Sequence, residues 1–204
     1  MLAEALVVAL GYVLGTFPTA KLVGRVTGHD PTAEGSGNPG ATNVYRTSGR
    51  AAGAAVLAVD VAKGALAATV GLLVGDHLLG VLAGAAAVLG HVAPVGRRFR
   101  GGKGVATGAG MSAVAFPLVS LALGVVFVVV VALTRRASVG SLVLALLLPI
   151  GVALGGYDGV EVLVTAGVAL VVIARHHDNI RRLIRREEAP VQRGATRREA
   201  ADTP

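Results

Sequence analysis

The run Gly35, Ser36, Gly37, Asn38, Pro39, Gly40, Ala41, Thr42, Asn43, with Arg at position 46, gathers the residue types that hold a phosphate. Its glycines let backbone amides turn inward, its Ser, Thr and Asn side chains supply small donors, and Arg46 adds a bidentate cation. A flexible connection between helices has the same composition, so the run alone leaves both readings open. Gly35-x-Gly37-x-x-Gly40 also has the spacing of a dinucleotide fingerprint, but no strand precedes it, and the acidic residue downstream, Asp60, falls inside an apolar stretch. That reading is set aside.

A second segment, Gly90 to Thr107, carries His91, Pro94, Arg97, Arg98, Arg100 and the run Gly101, Gly102, Lys103, Gly104. Lys103 stands between glycines where the next apolar helix opens, so helix amides and an ammonium could hold one phosphate together. It is not a Walker loop: Arg97 stands where that pattern has Gly, and Gly104 follows the lysine where it has Ser or Thr. Arg97 and Arg98 read as a lipid-facing cluster that sets topology.

The third segment runs from Arg175 through His176, His177, Asp178 and Asn179 to Glu188. A continuous helix there would aim His176 and Asn179 together at i, i+3 and put His177 on a face with Ile180 and Arg181. Adjacent histidines do not make a helical zinc site, and a chain with zero Cys has no thiolate nucleophile, disulfide or Cys-bound metal. No metal and no cofactor is expected.

The elements that must position these segments are membrane helices. Apolar residues make up 53% of the chain and charged ones 15%, mean hydropathy is +0.70, and there is no Trp. All of the 19 Lys and Arg except Lys63 fall in segments between or after apolar runs, which favours anionic lipid and phosphate as partners over nucleic acid.

Leu2 to Phe17, Ala51 to Gly75, His77 to Val92, Val105 to Phe116, Pro117 to Thr134, Ser141 to Gly155 and Val160 to Ala174 are predicted as seven helices, several shorter than the roughly 20 residues that span a bilayer. Val105 to Thr134 is divided at Phe116-Pro117, because proline removes a donor and disfavours helix before it. With that division the basic segments at 21–50, 97–103, 135–136 and 175–198 all emerge on one side. Asp76, His77, Asp158 and Glu161 are left on the other. The chain is thus expected to be an all-α polytopic bundle of about seven transmembrane helices, N-terminus outside and C-terminus cytoplasmic. Glu4 stands where a signal peptide would be basic, so the first helix is expected to be retained. Residues 1–186 read as a single integral membrane domain, and 187–204, polar and mixed in charge, as a disordered cytoplasmic tail.

Taken in order, Gly35-Ser-Gly-Asn-x-Gly-Ala-Thr-Asn-x-x-Arg46, Gly90-His-x-x-Pro94 with Gly101-Gly-Lys-Gly-Val-Ala-Thr107, and His177-x-Asn-Ile-x-Arg-Leu183 resemble the signature loops of the bacterial acyl-phosphate:glycerol-3-phosphate acyltransferase family, the PlsY type. The resemblance covers essentially the whole chain, and Asp60-x-x-Lys63-Gly64 looks like a further family feature. Ala93 stands where relatives usually have Phe, Arg100 where they have Lys, and Arg186 where Gly is common, while Glu188 matches the family's Glu.

The resemblance implies a compact seven-helix bundle in the bacterial plasma membrane with its active-site loops at the cytoplasmic face. It implies transfer of an acyl group from acyl phosphate to the sn-1 hydroxyl of glycerol 3-phosphate, giving lysophosphatidic acid and phosphate. Partners would be those two substrates, membrane lipid, and the soluble enzyme that makes acyl phosphate. Ser36, Gly35, Gly37, Asn38, Gly40, Thr42 and Asn43 are assigned with Lys103, Gly101, Gly102, Gly104 and Thr107 to phosphate binding, and Arg46 to a further clamp. Asp60, Lys63 and Glu188 are candidates for support.

An acyl phosphate is already activated, so positioning and stabilisation of the departing phosphate could supply most of the rate. A substrate phosphate oxygen is favoured as proton acceptor, with Ser36, Asn179 and His177 orienting the reactants; His91 or His177 as general base stays open, and an acyl-Ser36 intermediate is a minor option. A His followed five residues later by Asp, the mark of acyl-CoA-dependent acyltransferases, is absent after all 5 His, the nearest being His29 with Glu34. The competing class is a transporter of a small organic phosphate. Transporters usually show duplicated halves and midplane sites, whereas here the motif residues fall at one face.

Overall fold

The computed structural model describes residues 1–191, and these contain helices and no strands. In chain order they are α1 (Leu2–Gly15), α2 (Thr19–Thr27), α3 (Ala41–Ser48), α4 (Arg50–Val74), α5 (His77–Val92), α6 (Val105–Ala115), α7 (Pro117–Thr134), α8 (Ala137–Leu154), α9 (Gly159–Arg175) and α10 (His177–Ile184), with a 3₁₀ turn at Val95–Arg97. Every predicted apolar segment is a helix. α2, α3 and α10 are additional; each is short and has one polar face, so none stands out as an apolar run.

The division at Phe116-Pro117 holds: Phe116 leaves helical geometry at φ −134°, and Pro117 opens α7. α6 has 11 residues, about 16 Å at 1.5 Å per residue, too short for a hydrocarbon core of about 30 Å. It packs on α4 and α5, while α7 packs on α8. Among the described residues, five stretches are long and apolar enough to cross a membrane, and α9 with α10 makes a sixth although bent by 58°. The helix is not continuous through His176: it stops there and restarts in a new direction. His176 is buried, with Nδ1 donating to Val172 O at 2.7 Å, and His177 is exposed.

Small residues let the helices approach closely. A Cβ on Gly64 would lie 1.9 Å from Thr107 O, and one on Gly110 1.9 Å from Val61 O, so α4 and α6 touch backbone to backbone. α1 and α2 form one 26-residue span broken at Pro18. The break leaves carbonyls without helical partners, which is costly away from water. Lys63 supplies the donor, its Nζ reaching Gly15 O at 3.4 Å and Phe17 O at 3.2 Å. Asp60 balances its charge at 2.7 Å and accepts from Thr19 Oγ1 at 3.0 Å; Nζ also donates to His91 Nδ1 at 3.2 Å. Each charge costs roughly 2.5–3.5 kcal/mol to bury in a membrane, so the network is paired as well as buried.

The loops after α2 and α5, the α7–α8 turn and the segment after α9 meet at one end of the bundle. At the other end His77 of α5 joins Glu161 of α9 at 2.5 Å and the α6 carbonyl of Ala115 at 2.8 Å.

Candidate active site

At the basic end lies a cleft of about 680 Å³. Ser36, Gly37, Asn38 and Pro39 form one wall. Gly96, Arg97, Arg98, Arg100, Gly101 and Lys103 form the second, and Arg175, His177, Asp178, Asn179 and Arg182 the third, with Lys21 and Thr32 at the rim. The first wall is shaped by Asn43. Its Nδ2 donates to Pro31 O at 2.9 Å and Glu34 O at 3.0 Å, and its Oδ1 accepts from Ser36 N at 2.9 Å. Gly35 and Gly37 turn the chain with φ +60° and +68°, and a Cβ on Gly35 would fall 2.3 Å from Asn43 Oδ1. Asn43 therefore holds the loop that presents Ser36 and is not free to bind phosphate.

The second wall folds back on α5. Gly101 N donates to Val92 O at 3.0 Å and Gly102 N to His91 O at 3.1 Å, which satisfies the end of that helix. A Cβ on Gly102 would lie 2.1 Å from His91 Nε2, so this glycine exists for close packing. Arg175 ties the third wall to the second, donating to Gly101 O at 2.9 Å and Gly102 O at 3.2 Å. Gly104, left-handed at φ +86°, turns the chain into α6.

Lys103 projects between the walls and donates to Asn179 Oδ1. Asn179 Nδ2 donates to Glu188 Oε1 at 2.6 Å, and Arg182 Nε to Glu188 Oε2 at 2.6 Å. Burial, opposed by the Glu188 charge and reinforced by Arg182, Arg46 and Arg175, lowers the Lys103 ammonium to about 8. Burial pushes the Glu188 carboxyl up, but hydrogen bonds from Arg182, Asn179 and Ser138 outweigh it and hold the group below its ordinary value.

Ser36, Gly37, Asn38, Gly101, Lys103, His177 and Asn179 are thus brought together as expected. Others face elsewhere. Arg46 donates to Ala189 O at 3.1 Å and Pro190 O at 3.0 Å rather than into the cleft. His91 is buried behind Gly102 against Lys63 and does not line the cleft. Thr107 is fully buried in α6, Thr42 is exposed on α3, and Gly40 caps that helix. Asp60 and Lys63 serve the α1–α2 break. His29 and Glu34 bond at 2.9 Å outside the cleft. Arg97, expected to face lipid, donates to Thr16 O at 3.2 Å and lines the cleft with Arg98 and Arg100. Lys21, Thr32, Arg175 and Arg182 were not predicted; only the apolar run preceding Arg175 hinted that a cation there would sit at the membrane boundary.

Glu188 and its neighbours also correct the expected tail. Glu188 is 7% exposed, and Val191 N donates to Arg135 O at 2.7 Å, so the chain is packed through that point. The rest of the expected tail lies outside the described residues.

Beside the cleft an apolar groove of about 150 Å³ runs among α6, α7, α8 and α9, lined by Val105, Leu123, Leu144, Leu148, Val168 and Val172 among others. It begins at Gly104, the residue after Lys103. Helices of membrane-spanning length, with a cationic cleft at one end and an apolar groove beside it, define a polytopic membrane protein. The model of the family described as glycerol-3-phosphate acyltransferase matches residues 5–186. Glycerol-3-phosphate acyltransferases of Desulforudis audaxviator and Geobacter sulfurreducens are 42% and 43% identical to it, over 92% and 90% of this chain and 96% and 95% of theirs. A crystal structure of PlsY, an integral membrane glycerol 3-phosphate acyltransferase, in its glycerol 3-phosphate form superposes with TM-score 0.89 at 28% identity, covering 98% of this chain and 100% of that one. Its lysophosphatidic acid form superposes with TM-score 0.86 at 30% identity, covering 92% of this chain and 95% of that one. The chain belongs to the glycerol-3-phosphate acyltransferase family.

Proposed function

We propose that this protein acylates the sn-1 hydroxyl of glycerol 3-phosphate with acyl phosphate as donor, at the cytoplasmic face of a bacterial plasma membrane. One observation carries the reading: Lys103 lines the cationic cleft and Gly104 the apolar groove, so a molecule with a phosphate head and a hydrocarbon tail fits across two consecutive residues. The relatives' acceptor, glycerol 3-phosphate, brings a second phosphate, and the cleft has cations on two of its walls to receive both.

The hydroxyl oxygen attacks the acyl carbon, the bond from that carbon to the phosphate oxygen breaks, and a phosphate oxygen takes the hydroxyl proton. Lysophosphatidic acid and inorganic phosphate result. Lys103 and the neighbouring arginines stabilise charge on the departing phosphate, and the loop amides, Ser36, Asn179 and His177 orient the reactants. With His91 sealed behind Gly102, proton transfer to the substrate's own phosphate gains support.

Proteoliposomes given glycerol 3-phosphate and palmitoyl phosphate are expected to form lysophosphatidic acid without CoA. Product only with acyl-CoA would overturn the donor. Labelled glycerol phosphate crossing the bilayer with no product would favour a transporter.

A further inference from the structure

Arg186, left-handed at φ +61°, turns the chain back at the end of α10, and Glu187 N donates to Arg182 O at 2.8 Å. From there Glu188–Val191 forms a strap docked on the α7–α8 turn. Val191 N donates to Arg135 O at 2.7 Å, Arg136 Nε to Glu188 O at 3.0 Å, and Ser138 Oγ to Glu188 Oε1 at 2.8 Å. A serine in a helix commonly bonds back to a carbonyl of its own helix. Ser138 stands in the first turn of α8, where no carbonyl of its own helix is in reach, and turns its hydroxyl to a buried carboxylate at the positive end of that helix.

The strap reaches the cleft on one side and a cation outside it on the other. Through its side chain, Glu188 holds Asn179, which accepts from Lys103; through their carbonyls, Ala189 and Pro190 accept from Arg46. Arg135 and Arg136, which read from sequence only as charges that orient the protein, belong to the element on which this strap is seated.

We propose that the α7–α8 turn, through Ser138 and Arg136, is a positioning element for the cleft: it docks the strap that, through Glu188 and Asn179, sets Lys103 in place. The inference rests on the cleft being the anion site of the proposed reaction. Neither residue lines the cleft, so each acts through Glu188. With the Ser138 hydroxyl gone, Glu188 is held less firmly beside Asn179, and its charge supports the Lys103 ammonium less.

The test is titration of inorganic phosphate into purified protein, wild type and variants, across a pH series, with thermal melting as a check on folding. Charge-assisted hydrogen bonds are strong enough that Ser138→Ala is expected to weaken phosphate binding about tenfold. Alkaline loss of binding should also begin at lower pH than in wild type, and Ser138→Thr should restore both. A folded Ser138→Ala protein with unchanged affinity and unchanged pH midpoint overturns the proposal. Should Ser138→Ala fail to fold, Arg136→Ala is read by the same two measurements, with the same outcome expected and the same one fatal. Because the readout is binding, a wild type that binds phosphate yet makes no lysophosphatidic acid would reject the reaction and leave this inference standing.

Discussion

Lys103 is cationic only below its pKa, which burial lowers to about 8 in the free protein. A site that uses its charge must lose kcat/KM as pH rises through that value, because kcat/KM reports groups of the free enzyme. The expected profile falls about tenfold per pH unit above pH 8, and Lys103→Arg moves the decline upward, since guanidinium stays charged. A flat profile to pH 10 would remove Lys103 from anion binding. Asn43 predicts a different defect. Asn43→Ala leaves Ser36 N–H and the buried Pro31 carbonyl without their partner, at about 1–3 kcal/mol for the buried group, while Glu34 O keeps Gly37 N at 3.0 Å; Ser36 then loses its place and KM for glycerol 3-phosphate should rise. An unchanged KM in a folded variant would place Ser36 outside the substrate's reach. Both residues were legible as polar loop chemistry, but only Lys103 lines the cleft. Sequence names what a loop contains; which side chains turn inward is decided by turns such as the left-handed Gly35 and Gly37. Arg46 and Asn43 share a run with Ser36, yet one grips the strap and the other the loop itself.

Among the elements, the apolar helices were readable because lipid selects long hydrophobic runs, and the α6–α7 break because Pro117 cannot continue a helix. The short helices escaped for the same physical reason: α2, α3 and α10 lie at the basic end, carry polar faces, and gain their order from packing against longer neighbours. The closest of the long contacts, α4 on α6, turns on glycine. Gly64→Ala places a methyl 1.9 Å from the Thr107 carbonyl, and backbone there has little room to yield. Overpacking of this kind costs typically about 1–3 kcal/mol, so Gly64→Ala is expected to lower the melting temperature in detergent clearly, and to disturb the cleft because Gly104, next to Lys103, caps α6. Gly167→Ala is the control: nothing lies within 4 Å of its added Cβ, and alanine favours helix. Equal melting of the two variants would show that α4 and α6 are not in contact. The α1–α2 break makes a related case. Replacing Asp60 by Leu and Lys63 by Met together removes the charge pair but takes the Lys63 donor from the carbonyls of Gly15 and Phe17, of which Phe17 O keeps Thr19 N at 3.0 Å. Swapping a buried ion pair for apolar residues is often neutral, so loss of stability in the double variant would identify the carbonyl contacts as what Lys63 is there for.

At the scale of the whole molecule, two independent lines place the basic segments together. Positive-inside bias counted along the sequence puts them on one side once the chain is divided at Pro117, and the folded bundle brings the same segments to one end around the cleft. Packing alone does not tell inside from outside, so the proposed cytoplasmic orientation of the cleft rests on charge: cytoplasmic loops retain Lys and Arg, and the opposite end carries Asp76, Asp158 and Glu161. This matters for the proposed reaction, since both phosphorylated substrates must reach the cleft in the compartment where they are made. The absence of cysteine allows a test without background: single cysteines can be placed in an otherwise native chain. Gly159→Cys, exposed and with free space around its Cβ, marks the acidic end, and Arg185→Cys, exposed on the chain after α10, marks the basic end. A membrane-impermeant maleimide is expected to label Gly159→Cys in intact cells, and Arg185→Cys only after the membrane is opened. The reverse pattern would turn the cleft outward and separate it from cytoplasmic substrates. Labelling of both in intact cells would mean that the chain inserts in two orientations, against a charge difference that should allow one.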